Sequence, residues 1–208
     1  AGFEAGMLGY ALFASVFGAG KEAPGRAAES YEQAIGIQKR RGELAPAVVA
    51  YRGDLAVSYN NLGLLQSQQQ QSAASLEAFR RALAIQQELV AAAPDDPDFT
   101  SSLAGIYNNL GMALLRQQEQ SQAAEAVRLA VKHQEEACRQ SPAVARYREF
   151  LSKHRVNLER AEKESERKTD WSSGRYSPPE RQSVLPNPAR SQRAKHEGLV
   201  LHREGFLT

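Results

Sequence analysis

The side chains in this chain best suited to recognition chemistry are carboxamides in a repeated setting. Tyr59-Asn-Asn-Leu-Gly63 returns as Tyr107-Asn-Asn-Leu-Gly111, 48 residues later. A carboxamide offers both a donor and an acceptor, so a row of them can grip the backbone of an extended peptide. The same chemistry could tie one repeat to the next. Asparagine is a poor choice for a helix interior on propensity alone, and its recurrence there needs one of these two reasons. Asn157 falls under Asn61 and Asn109 at the same offset. Asn60, Asn61, Asn108, Asn109 and Asn157 are therefore candidate peptide-binding residues.

Other chemistries find less support. His133, His154, His196 and His202 are not spaced as a metal pair with nearby carboxylates. No glycine-rich phosphate loop precedes a Lys-Ser or Lys-Thr, so the reading assigns no catalytic residue, no metal ligand and no cofactor. Cys138 is the single cysteine, which rules out an intrachain disulfide framework and suits a reducing, cytoplasmic setting. A net charge of +2 over 208 residues makes nucleic acid or a membrane surface an unlikely main partner. The uncharged stretch 5–20 invites a membrane reading, but it is short for a span and lacks a preceding basic region. It reads better as the first helix of a degenerate leading repeat.

The elements that must position the amides follow from the repeat. Residues 51–98 slide onto 99–146 without a gap and give 16 identities in 48 positions, several times what composition alone would produce. Fixed-period self-similarity on this scale marks a solenoid. Within the second copy Leu103, Ile106, Tyr107, Leu110 and Leu114 recur at spacings of three and four, the stripe of a helix with one buried face. Ala123, Ala126, Val127, Ala130 and Val131 form a second such stripe after a polar break. Each period is thus a helix pair, and the expected class is an all-α solenoid of antiparallel pairs without strands.

The blocks Tyr59-x2-Leu62-Gly63, Tyr107-x2-Leu110-Gly111, Ala27-x3-Tyr31, Ser75-x3-Phe79 and Ala123-x3-Val127 resemble the tetratricopeptide repeat. The period of 48 rather than about 34 is similar to the long-helix variety of kinesin light chains and bacterial multi-repeat regulators. The resemblance implies that the first helix of each pair lines a concave surface that binds a protein or peptide. In family members that clamp a C-terminal carboxylate, Asn109 and Lys153 match clamp positions, while Asn60, Leu64 and Asn157 stand where Lys, Asn and Arg would be. Lys153 accordingly joins the candidate peptide-binding set.

The expected organisation is a solenoid over 1–168, with a degenerate repeat at about 3–50, repeats at 51–98 and 99–146, and a capping helix at about 147–168. Residues 169–208 carry Pro, Ser and Arg without a periodic apolar face and read as a disordered basic tail. The expected role is a non-catalytic interaction scaffold. The alternative is a regulatory segment of a larger signalling enzyme, such as a bacterial serine/threonine kinase.

Overall fold

A computed structural model describes residues 23–45 and 48–172. They form six helices: α1 Ala23–Leu44, α2 Val49–Gln68, α3 Ser72–Ala92, α4 Pro97–Arg116, α5 Gln120–Gln140 and α6 Ala145–Ser172. No strand occurs among the described residues, so the all-α solenoid expected from the periodicity is what the chain adopts. The leading helix expected around 5–20 and nearly all of the expected tail, 173–208, lie outside the described residues.

Each helix packs on the next, and the first helices α2, α4 and α6 also touch one another in sequence. The core follows the repeat. Ile35, Tyr59, Leu62, Ala78, Phe79, Ala82, Ile106 and Ala113 form one buried cluster, and Leu114, Leu115, Ala123, Ala124, Ala126 and Ala161 form a second. Ala82 and Ala130 have no solvent exposure, as expected of small residues where helices cross closely.

Gly63 and Gly111 allow that closeness. A Cβ on Gly63 would stand 3.0 Å from the Phe79 ring, and one on Gly111 would stand 2.4 Å from Val127 and 3.0 Å from the Ala123 carbonyl. Both contacts lie on the second helix of the same pair, so glycine sets the distance within a pair.

The turns repeat as faithfully as the helices. Gln70 and Gln118 both have φ near 62°. Around them Gln71 N donates to Gln66 O and Gln70 N to Ser67 O, and Glu119 N donates to Leu114 O and Gln118 N to Leu115 O. These are the paired 6→1 and 5→2 bonds of a Schellman motif, with glutamine where glycine is usual. The start of α4 is capped by Asp96, whose carboxylate accepts from Asp98 N at 2.8 Å and Phe99 N at 3.4 Å, with Pro97 at the first helical position.

Candidate functional site

The asparagines lie half-buried on the first helices, α2, α4 and α6. Asn109 Nδ2 donates to Asn60 Oδ1 at 3.0 Å, and Asn157 Nδ2 donates to Asn108 Oδ1 at 2.8 Å. Within the first pair Asn60 Nδ2 reaches Asn61 Oδ1 at 3.4 Å. The bonds between repeats span 49 residues rather than 48, so each joins the asparagine at the second of the two positions, Asn109 or Asn157, to the first asparagine of the preceding pair, Asn60 or Asn108. This arrangement ties repeat to repeat. Each bond still uses only one donor or one acceptor of a group that has both. Lys153 is exposed and holds its ammonium 5.8 Å from the centre of the Phe150 ring.

Glutamines supply a second set of ties. Gln86 and Gln134, which coincide under the repeat, are almost wholly buried. Gln86 Nε2 donates to Phe99 O at 2.9 Å and Gln134 Nε2 to Tyr147 O at 3.2 Å, so each second helix holds the first turn of the following pair. The oxygens of the two differ. Gln134 Oε1 accepts from Ser101 Oγ at 3.1 Å. Gly53 occupies the place of Ser101 one repeat earlier, and nothing among the described residues donates to Gln86 Oε1.

One turn before the asparagines, the same helix faces enclose a groove of about 480 Å3. Val49, Gly53, Asp54 and Val57 line it from α2, Asp98, Phe99, Ser101 and Ser102 from α4, and Arg146, Tyr147 and Phe150 from α6, with Gln86 behind them. On α2 these positions recur at three- and four-residue spacing and lead directly to Asn60 and Asn61. Val49 and Phe150 remain about 40% exposed, at 42% and 40%, which leaves the groove an open apolar wall.

Its charges are unevenly used. Asp98 receives Arg146 Nη2 and the Tyr147 hydroxyl, and the Arg146 guanidinium lies 5.1 Å from the centre of the Tyr147 ring. Asp96 is occupied by the α4 cap. Asp54 has no hydrogen-bond donor within reach among the described residues, and partial burial pushes its carboxyl above the ordinary value against the pull of Arg41.

The sequence reading did not single out the groove, because its lining consists of ordinary residues. The signal in the sequence that could have found it is the coincidence of Gln86 and Gln134 under the repeat, each on the apolar side of a second helix. Among the described residues, which include His133 and His154 but not His196 and His202, no group of three His, Cys, Asp or Glu could hold a metal ion. His133 stacks on Tyr107 with ring centres 5.7 Å apart, and Tyr107 also accepts a bond from Gln87 Nε2 at 2.9 Å. His154 is buried between α5 and α6, with no partner for Nδ1. No described helix is long and apolar enough to cross a membrane.

A sequence model of the tetratricopeptide repeat family matches residues 55–98, which run from the middle of α2 through α3 into the first turn of α4. No curated protein matches the chain significantly. Repeats of this family generally mediate protein–protein interaction and are typically non-catalytic. The matched segment is one 48-residue period less its first turn, and the chain repeats that period over α4 and α5: the chain carries a tetratricopeptide repeat at 55–98 and a second copy of the same period after it.

Proposed function

We propose that this chain is a non-catalytic interaction module that binds an extended segment of a partner protein along its first helices. The observation that carries the reading is the groove of about 480 Å3 built from α2, α4 and α6. A concave, largely apolar slot with a few converging polar groups is the usual form of a recognition site. Asn60, Asn61, Asn108, Asn109 and Asn157 continue its faces, and their unspent donors and acceptors are available to peptide groups leaving the groove. Lys153 stands one turn before Asn157 at the same edge. The reading supports a protein or peptide partner and a site without metal or cofactor.

The test is a selection of phage-displayed random dodecapeptides on the intact chain, followed by calorimetry with the synthesised winners. Ser102→Trp fills the groove from an exposed position and should leave the melting temperature unchanged. The expected result is peptides of micromolar Kd, about −8 kcal/mol, weakened at least tenfold by Ser102→Trp. Enrichment no better than on the filled variant, or equal affinity for both proteins, overturns the proposal.

A further inference from the structure

The two repeats differ at one polar position in a way that leaves the groove chemically incomplete. Around α5 the buried Gln134 is satisfied at both ends, by the Tyr147 carbonyl and by the Ser101 hydroxyl. Around α3 the equivalent Gln86 is satisfied only through its nitrogen. Gly53 replaces the serine, and a Cβ built on Gly53 would meet nothing within 4 Å. The Gln86 oxygen has no donor among the described residues and belongs to the groove lining, so it stands as an acceptor that an occupant of the groove can use. The space above Gly53 admits an incoming backbone where a side chain would stand in its way.

Asp54, the residue after Gly53 on α2, lines the same groove. Of the groove carboxylates, Asp96 is held by the helix cap and Asp98 by Arg146 and Tyr147, leaving Asp54 as the one among them without a bound partner among the described residues. The apolar walls are Val49, Val57, Phe99 and Phe150. An occupant complementary to all of these carries a backbone N–H, a cation and an adjoining apolar side chain.

Resting on the reading of the groove as a peptide site, we propose that its occupant is an extended peptide bearing a Lys or Arg flanked by apolar residues. A backbone N–H of the peptide donates to Gln86 Oε1 above Gly53, and the cationic side chain pairs with Asp54. A partly desolvated pairing of this kind gives specificity by rejecting acidic sequences as well as by attracting basic ones.

The repeat itself supplies the decisive variant. Gly53→Ser restores the hydroxyl that Gln134 enjoys, satisfies Gln86 internally and occupies the space above residue 53. The probes are positional-scanning pools of acetylated hexapeptide amides in which one position at a time is fixed as Lys, Arg, norleucine or Glu. With the full chain, pools fixed as Lys or Arg at one position should bind at least tenfold tighter than those fixed as norleucine or Glu. Asp54→Asn should abolish that preference while leaving the norleucine pools unchanged. Gly53→Ser should weaken every pool at least tenfold with a melting temperature equal to or above that of the parent.

Pools that bind without a basic preference overturn the Asp54 assignment. Undiminished binding to Gly53→Ser, together with loss in Ser102→Trp, overturns the Gln86 contact while leaving the groove a peptide site. If no pool binds the parent chain, the peptide reading fails and this proposal with it. A dimer of the parent that Gly53→Ser dissociates would instead make the occupant a second copy of the chain.

Discussion

At the scale of single residues, the repeat is informative where it is obeyed and more so where it is broken. Tyr59, Leu62 and Gly63 were legible as packing residues from their spacing, and they are buried against α3 as that spacing requires. His154 breaks the pattern, standing where Ile106 stands one repeat earlier. Burial lowers its pKa from 6.5 to about 4, with Lys153 pushing the same way and the Ala130 carbonyl opposing. A histidine whose folded pKa is depressed favours the folded state while neutral, so its contribution is intact above pH 6.5 and is lost as pH falls towards 4. His154→Ile should therefore remove a loss on the order of 2–3 kcal/mol between those pH values and raise stability at pH 5. Urea melts of both proteins at pH 7 and pH 5 check this. An equal pH dependence in the two would show that His154 is hydrated in solution.

At the scale of elements, helix positions were readable because apolar stripes recur every three or four residues, and the ends were readable from Pro94, Pro97 and Pro142. The turns were seen only as polar breaks, since glutamine carries no turn signature. The structure shows what the Gln-rich stretch does: Gln70 and Gln118 take the left-handed conformation that closes α2 and α4. For a residue with a Cβ that conformation costs about 1–2 kcal/mol, partly offset by the greater unfolded freedom glycine would bring. Gln70→Gly with Gln118→Gly should thus stabilise the chain by about 0.5–1 kcal/mol per site, raising the melting temperature by a few degrees. A lower melting temperature in the double variant would mean that these side chains contribute more than their backbone strain costs.

At the scale of the whole molecule, the array was legible from its period and amide ties between repeats were one of the two readings of the asparagines, but which asparagine meets which was not legible. Alignment sets Asn61 over Asn109 and Asn60 over Asn108, whereas the bonds run from Asn109 to Asn60 and from Asn157 to Asn108. Like positions overlie in sequence, and unlike positions meet in space, because adjacent helices are displaced by one residue. Asn108→Ala removes the acceptor for Asn157 and should cost about 0.5–1.5 kcal/mol, felt mainly as earlier opening of α6 in hydrogen exchange. Unchanged exchange in α6 combined with weaker peptide binding would instead assign these amides to the ligand. The one-residue displacement also gives the bonds between repeats a direction, with both donors, Asn109 and Asn157, facing back along the chain and both acceptors, Asn60 and Asn108, facing forward. At the next step forward the acceptor's place is taken by Val156, 64% exposed on α6. The row works like a zip with a stop at its last tooth: a further helix pair could stack on α6 through apolar contact but would find no amide to lock its register. Val156→Asn would be the first change needed to lengthen the array by design.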